Sequence, residues 1–573
     1  MAAFHTTVMS AILLMLSLLA ATARSSDPSA PAPATPVPPS TACNGTTDPS
    51  FCRTVLPANG TNNLYTYGRF SVAKSLANAN KFLGLVNRYL ASSRGRSNKQ
   101  LSPGAVAALQ DCQLLSSLNI DFLAAAGAAL NASGNRALLD PQAEDVQTLL
   151  SAILTNQQTC ADGLQAAASA WSVRDGLAVP MANSTKLYSV SLSLFTRAWV
   201  PPPAKKSPAT GGKKKPPRNG GGGEHGRRGL FDASDDEMVR RMALEGAAAA
   251  VPVVGAVTVD ATGAGNYTTV GAAVAAAPSN LDGSTGYFVI RVVAGVYGEN
   301  VAVPKNKKYL MMVGDGIGQS VITGNRSVVD GWTTFNSATF AVLGQGFVAV
   351  NMTFRNTAGP AKHQAVALRS GADLSTFYMC SFEAYQDTLY THSLRQFYRS
   401  CDIYGTVDYV FGNAAVVFQD CTLYSRLPMQ GQSNTVTAQG RTDPNQNTGT
   451  TLQGCVVAAA PELAANTAFP VATYLGRPWK LYSRTVVMQS EIDALIDPAG
   501  WMPWNGDFAL DTLFYAEFNN TGAGAATAGR VAWPGFHVLN STADAGNFTV
   551  GNMVLGDFWL PQTGVPFTSG LLN

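Results

Sequence analysis

Apolar residues recur at three- and four-residue spacing through the first third of the chain, and then the period changes. Val72, Leu76, Ala79 and Leu83 fall on one face of a 3.6-residue repeat. Residues 109–130, 141–169 and 187–198 repeat this pattern, are rich in Ala and Leu, and are mostly separated by Gly, Pro or Asn. The pattern predicts an antiparallel all-α helical bundle over residues 43–198. From Val253 the helical period fades. Short β-rich runs replace it at 287–293, 309–313 and 347–354, with turns rich in Gly, Asn and Asp between them. They recur roughly every 20–25 residues, which is the signature of a solenoid in which each coil adds one rung. The expected architecture is multidomain, with an all-β parallel β-helix over 253–560 following the bundle.

The segments around these two units look different. Residues 1–23 read as a signal peptide, with an apolar core at 11–21 and a small-x-small site at Ala21-Thr22-Ala23. That core is short for a bilayer span, so no membrane partner is expected. Residues 24–42 are rich in Pro, Ala and Ser and predict an extended, unpacked spacer. Residues 199–229 form a Pro/Gly/Lys linker that ends near Arg227-Arg228, a candidate processing site. The net charge of +3 is misleading. Eight Lys/Arg stand between residues 201 and 229 against Glu224 alone, so the rest of the chain is net acidic. That excludes an extended basic face for nucleic acid. Ten Asn-x-Ser/Thr sequons agree with export. In an exported chain the eight cysteines read first as disulfide formers. Cys43 and Cys52 would close a short loop, and Cys112 and Cys160 would staple two helices. No CxxC pair suggests a metal site. This half of the chain resembles the plant invertase and pectin methylesterase inhibitor family, which are disulfide-stapled four-helix bundles.

The chemistry is concentrated in the β-rich half. Residues 405–412 read Gly-Thr-Val-Asp-Tyr-Val-Phe-Gly, an aspartate inside a strand-like apolar run. An ionised Asp408 there is costly unless it is paired or hydrogen-bonded. Gln386-Asp387 and Gln364 precede it, with steps of 22 residues from Gln364 to Gln386 and 21 from Asp387 to Asp408. On neighbouring coils these side chains meet on one face. Each residue alone has a plainer reading: a lone Asp near a turn is usually a cap, and a lone Arg or Trp usually packs or makes a surface pair. Their joint occurrence favours a site. No GxSxG occurs, and the β-rich half holds only His363, His392 and His537, so a Ser-His-Asp hydrolase has little support. Ester hydrolysis by carboxylates fits better. Asp408 can attack if it stays ionised, and Asp387 can protonate the leaving alcohol if its pKa is raised. Gln364 and Gln386 offer amide donors to an oxyanion. Arg477, in Leu475-Gly476-Arg477-Pro478-Trp479, can hold Asp408 ionised, and Trp479 offers a flat face to a sugar ring.

Residues 295–299, 364–368, 386–390, 405–412 and 475–479 resemble, in order, the five signature segments of plant pectin methylesterases. The resemblance implies a right-handed parallel β-helix that needs no metal or other cofactor. It implies that Asp408 is the nucleophile, Asp387 the acid and later the base, and Gln386 a transition-state donor. Thr334, Gln364, Arg477 and Trp479 would then bind substrate, with Arg477 also orienting Asp408. It further implies a disulfide between Cys401 and Cys421. Tyr409 and Val410 stand where Phe and Ile are usual, and Arg227-Arg228-Gly229-Leu230 departs from the usual Arg-Arg-Leu-Leu type of processing site. The helical-then-β order resembles precursors in which an inhibitor-like region precedes the enzyme. The expected partner is methyl-esterified homogalacturonan in the cell wall, met by a secreted monomer, and the bundle itself is a candidate second partner. The rival readings are a pectate lyase or polygalacturonase on the same fold, and an inhibitor-type module acting on other esterases.

Overall fold

A computed structural model describes residues 32–58, 61–93, 101–167, 171–200 and 251–573. The expected signal peptide, the Arg227-Arg228 processing site and almost all of the 199–229 linker lie outside these residues. Four long helices form the first unit: α1 (Leu64–Ser93), α2 (Pro103–Ser133), α3 (Asp140–Ala166) and α4 (Trp171–Trp199). Local chemistry sets their ends. Ser102 caps α2 by accepting from the Ala105 N–H, Pro103 fits the first turn, and Gly134 ends the helix at φ 59°. α4 begins well before the periodic run at 187–198, because Pro180 interrupts the sequence pattern yet sits inside the helix. α2 is long and apolar enough to cross a membrane, but its Leu109, Leu115, Leu123 and Leu130 are buried inside the bundle. The Cys43–Cys52 and Cys112–Cys160 disulfides are both formed.

The stretch expected to be an unpacked spacer is packed from residue 32 onward. Val37 is buried and bridges to Asn62, and the Tyr67 hydroxyl donates to the Val37 carbonyl. Prolines limit the freedom of this segment, so docking one apolar side chain costs little further entropy. Trp199, placed in the linker by the sequence reading, ends α4 and is fully buried.

The second unit is a right-handed parallel β-helix of three sheets with eleven, eight and seven strands. The seven-stranded sheet carries the chemistry. Its strands are β1 (Val301–Val303), β2 (Phe340–Val342), β3 (Leu368–Ser370), β4 (Leu389–Thr391), β5 (Val410–Gly412), β6 (Asn434–Gln439) and β7 (Thr473–Gly476), paired in parallel in that order. Identical environments recur on successive coils, so like side chains stack. The rings of Phe377, Tyr398 and Phe418 form one such ladder, with centroids 4.7 and 4.6 Å apart. The Gly295–Glu299 segment proves structural. Tyr297 donates to the Val259 and Val293 carbonyls, and Glu299 accepts from the Val270 and Gly271 N–H groups at the start of the helix Val270–Ala276.

One expectation is overturned. Cys401 and Cys421 are buried free thiols, as are Cys380 and Cys455. Each cysteine follows a left-handed corner residue: Met379, Ser400, Asp420 or Gly454, at φ 52°, 51°, 54° and 65°. The same corner on each coil places the thiols in a core stack. Their sulfurs turn to carbonyls of the coil instead of to one another: Cys401 Sγ donates to the Phe377 carbonyl and Cys455 Sγ to the Phe418 carbonyl, each at 3.4 Å.

Candidate active site

β4 and β5 pair in register, Leu389 with Val410 and Tyr390 with Phe411. Asp387 and Asp408 each precede their strand by two residues, so they occupy equivalent places one coil apart. Both adopt left-handed backbone, φ 63° and 52°. Aspartate tolerates this conformation better than most residues, and such strain gathers at functional sites. The two glycines that bracket Asp408 are needed for close approach. A Cβ on Gly405 would lie 2.1 Å from the Tyr409 Cβ, and one on Gly412, at φ 132°, would lie 2.0 Å from the Thr391 carbonyl oxygen. Tyr409, where Phe was expected, places its hydroxyl 3.3 Å from the Ser425 hydroxyl and so is not left unpaired in the core.

Asp408 is 5% exposed. Arg477, just beyond β7, grips it with both prongs: Nε donates to Oδ1 and Nη2 to Oδ2, each at 2.7 Å. Thr435, on β6, donates its hydroxyl to Oδ1 at 2.7 Å and accepts from the Asp408 N–H at 2.8 Å. This geometry fixes the carboxylate in one orientation and satisfies it there. Asp387 has the opposite environment. Burial pushes its carboxyl well above the usual carboxylate range, the charge of Asp408 pushes the same way, and Arg477 opposes only in part. A carboxyl pushed toward its protonated form thus stands beside one gripped by a guanidinium.

Both line a cavity of about 560 Å³ together with Gln364, Gln386, Thr334, Phe335, Tyr390, Phe411, Arg477, Trp479 and Trp504. The structure therefore brings together all seven proposed catalytic and substrate-binding residues. The lining includes no histidine. His392 is buried and hydrogen-bonded to Ser393 and Thr159, and burial, then the charge of Arg369, holds its pKa well below the usual value. The chemistry available is that of a positioned carboxylate nucleophile beside a protonated carboxyl, with amide donors within the same cavity.

The family model described as Pectinesterase matches residues 256–557, and that described as Plant invertase/pectin methylesterase inhibitor matches residues 39–194. The probable pectinesterase/pectinesterase inhibitor 41 of Arabidopsis thaliana is 56% identical, over 93% of this chain and 95% of its own. The chain belongs to the pectinesterase family. Pectinesterase 1 of Citrus sinensis is 47% identical over 81% of this chain and 77% of its own. A solved pectin methylesterase from carrot is 58% identical with a TM-score of 0.53; the match covers 98% of that chain but only 55% of this one. In the carrot protein the pectinesterase fold therefore stands without a second unit of this size.

In this member of the pectinesterase family the helical unit roofs the cavity. Gly104, Asp111, Thr159, Asp162, Gly163, Ala166 and Ala167 line it alongside the carboxylate pair. Helix α3 crosses the seven-stranded sheet with a polar stripe at Thr148, Ser151, Thr155, Thr159 and Asp162. Their side-chain partners are the Asn447 amide for Thr148, the Asn447 N–H for Ser151, Asn413 for Thr155, His392 for Thr159 and the Lys480 ammonium for Asp162, the last at 2.9 Å. Arg395 pairs with Asp145 of the same helix at 2.8 Å. Sequence reasoning missed these contacts, and also Thr435 and Trp504. The stripe itself was visible, because five polar residues at helical spacing cannot face an apolar bundle core.

Proposed function

We propose that this chain is an exported pectin methylesterase precursor that hydrolyses the methyl esters of galacturonate units in cell-wall pectin. Asp408 attacks the ester carbonyl carbon, and Gln386 and Gln364 donate to the oxyanion that forms. The intermediate collapses as Asp387 protonates the departing methoxide, giving methanol and a galacturonyl–Asp408 anhydride. Asp387, now ionised, takes a proton from water, whose oxygen attacks the galacturonyl carbon. Asp408 leaves as its carboxylate, Asp387 keeps the proton it took, and the galacturonic acid released gives its own proton to solvent to become galacturonate. Arg477 aims Asp408, while Trp479 and Thr334 hold the sugar chain. The observation that carries this reading is the two-pronged Arg477–Asp408 pair beside a carboxyl kept protonated by burial.

The bundle acts in the precursor as an inhibitor in cis. In support, Thr159, Asp162 and Ala166 line the cavity that substrate must enter. The test uses residues 230–573 and methylated pectin. Methanol is released without chain shortening, Asp408→Asn reduces turnover to background while circular dichroism is unchanged, and Asp387→Asn is severely impaired. Near-normal turnover by folded Asp408→Asn removes its assigned role, and chain shortening points to a backbone-cleaving enzyme.

A further inference from the structure

Asp408 is held from the two coils that follow it, and they hold its two oxygens unequally. Arg477 Nε and the Thr435 hydroxyl both donate to Oδ1, each at 2.7 Å. Among the described residues Arg477 Nη2 is the one donor to Oδ2, also at 2.7 Å. A carboxylate oxygen offers two lone pairs, so both are engaged on Oδ1 and one is left on Oδ2. Thr435 makes this difference, because a two-pronged guanidinium alone treats the two oxygens alike. The backbone settles which way the Thr435 hydroxyl points. On the two preceding coils the equivalent N–H groups donate to ladder carbonyls, Ala365 to Gln386 at 3.2 Å and Asp387 to Val407 at 3.0 Å. The Asp408 N–H donates to Thr435 Oγ1 instead, at 2.8 Å. A carbonyl can only accept, but a hydroxyl that accepts still has a proton to give, and this one gives it to Oδ1. One hydroxyl thus closes a ring through the amide and the carboxylate of the same residue. It holds both the left-handed backbone of Asp408 and the turn of its carboxylate. Thr435 is itself fixed. It is 1% exposed, its N–H and carbonyl pair with Thr406 and Tyr409, and its branched side chain is stiff about χ1.

We propose that Thr435 is a positioning residue that makes Oδ2 the attacking atom of Asp408. The inference rests on the pectin methylesterase reading and extends it to a residue that reading does not use. The free lone pair on Oδ2 forms the bond to the ester carbonyl carbon, and the carbonyl π pair moves onto the oxyanion. The bond to methoxide then breaks as Asp387 gives methoxide its proton. Oδ1 becomes the carbonyl oxygen of the anhydride and keeps both of its donors. Water next adds to the galacturonyl carbon and gives a proton to Asp387. The bond to Oδ2 breaks, and its electron pair returns to a carboxylate that Thr435 and Arg477 still hold. Without the hydroxyl the Asp408 N–H loses its partner, and the carboxylate is held from one side only. Precise aim of a nucleophile is worth orders of magnitude in rate, and it acts on the chemical step, not on the binding of the ground state.

Steady-state methanol kinetics test this on residues 230–573, the unit whose counterpart stands alone in the carrot protein. Thr435→Val matches the side chain in shape but lacks the hydroxyl. It should lower kcat and kcat/KM together by roughly 10–100-fold, the scale of one hydrogen bond to a charged group, with KM within about twofold of the unsubstituted value. Thr435→Ser returns the hydroxyl and should recover most of the loss. In a double-mutant cycle with Arg477→Lys, the combined loss should fall short of the product of the single losses, because both groups act on one carboxylate. Undiminished kcat in folded Thr435→Val overturns the proposal. So does a loss that Thr435→Ser fails to recover, a rise in KM at constant kcat, or losses that multiply fully with Arg477→Lys. Thr435→Ala, judged by the same measures, takes the place of the Val variant if circular dichroism shows that variant unfolded. If neither folds, the hydroxyl serves the fold and the proposal is rejected. Failure of the esterase reading is distinct, because the unsubstituted unit then releases no methanol.

Discussion

Docking of the bundle on the β-helix should weaken as pH rises, and Asp111 allows the size of the effect to be worked out. Burial pushes its carboxyl up from 3.8 to about 7; the Thr333 hydrogen bond and then the Arg369 charge oppose that rise. Undocked, the same carboxyl faces water and titrates near 3.8. The docked form therefore binds more protons throughout the interval between the two values. Docking is at full strength below about pH 4, loses up to tenfold per pH unit above it, and levels off past about pH 7. The ceiling for this single group is about a thousandfold, on the order of 4 kcal/mol. Other groups at the contact titrate too. Glu144, beside Asn447, Arg395, Asp145 and Asp373, is raised chiefly by burial and acts in the same direction. His392, held neutral by burial, acts the opposite way below its usual range. The assay compares methanol release by the full chain with that by residues 230–573 from pH 4.5 to 8. The ratio should rise with pH, and Asp111→Asn, similar in shape but unable to ionise, should flatten the rise. A ratio independent of pH, or an unaltered slope in Asp111→Asn, refutes the reasoning.

Further outcomes follow from the same contacts. Arg477→Lys keeps the charge but cannot reproduce the two-pronged grip, so kcat/KM falls by roughly 10–100-fold, the worth of one charge-assisted hydrogen bond; unchanged kcat/KM removes the orienting role. Gln386→Ala lowers kcat by roughly 10²–10³ with little change in KM if it is a main oxyanion donor, as steady-state methanol kinetics will show. Glu299→Ala leaves the first N–H groups of the Val270–Ala276 helix unpaired at the end of the β-helix. It should cost about 1–2 kcal/mol by denaturant titration without altering kcat in the folded fraction.

The sequence carried the site because a β-helix turns a linear period into a spatial stack. Gln386, Asp387 and Asp408 could be aligned by counting, since each intervening coil has nearly the same length. Thr435 escaped for the same reason. The next coil is longer, with residues 426–433 looping out between Thr422–Ser425 and β6, so its step from Asp408 is 27 residues. The four-cysteine stack was half legible: regular spacing showed that the side chains are neighbours but not that each thiol donates to a carbonyl of the coil. In the bundle, periodicity located helices but understated them, because Pro180 and the Gly residues interrupt a pattern that tertiary packing sustains. The docking face was harder to see. Buried polar residues on α3 look like solvent-exposed ones until the opposing surface is known. Asp111 illustrates the point: in the middle of an Ala- and Leu-rich helix it reads as an exposed charge, yet its partners lie more than two hundred residues away.

The makeup of the docking face explains how one chain can carry both a stable fold and a removable roof. Within each unit the cores are apolar and continuous, and nothing short of unfolding separates them. Between the units the cluster is mixed. Phe82, Val86, Leu109 and Leu177 of the bundle lie in one cluster with Phe335, Tyr390 and Phe411, and around it the contacts are hydrogen bonds such as Gln147 to the Asn445 carbonyl and Ser189 to Asp443. Water replaces such bonds almost fully when the surfaces part, so each contributes only about 0.5–1.5 kcal/mol net. An interface of this kind holds when covalent linkage keeps the local concentration in the mM range and loosens on dilution once the link is cut. Its specificity comes from carboxylates seated on Arg395, Lys480 and the Thr333–Asn336 loop.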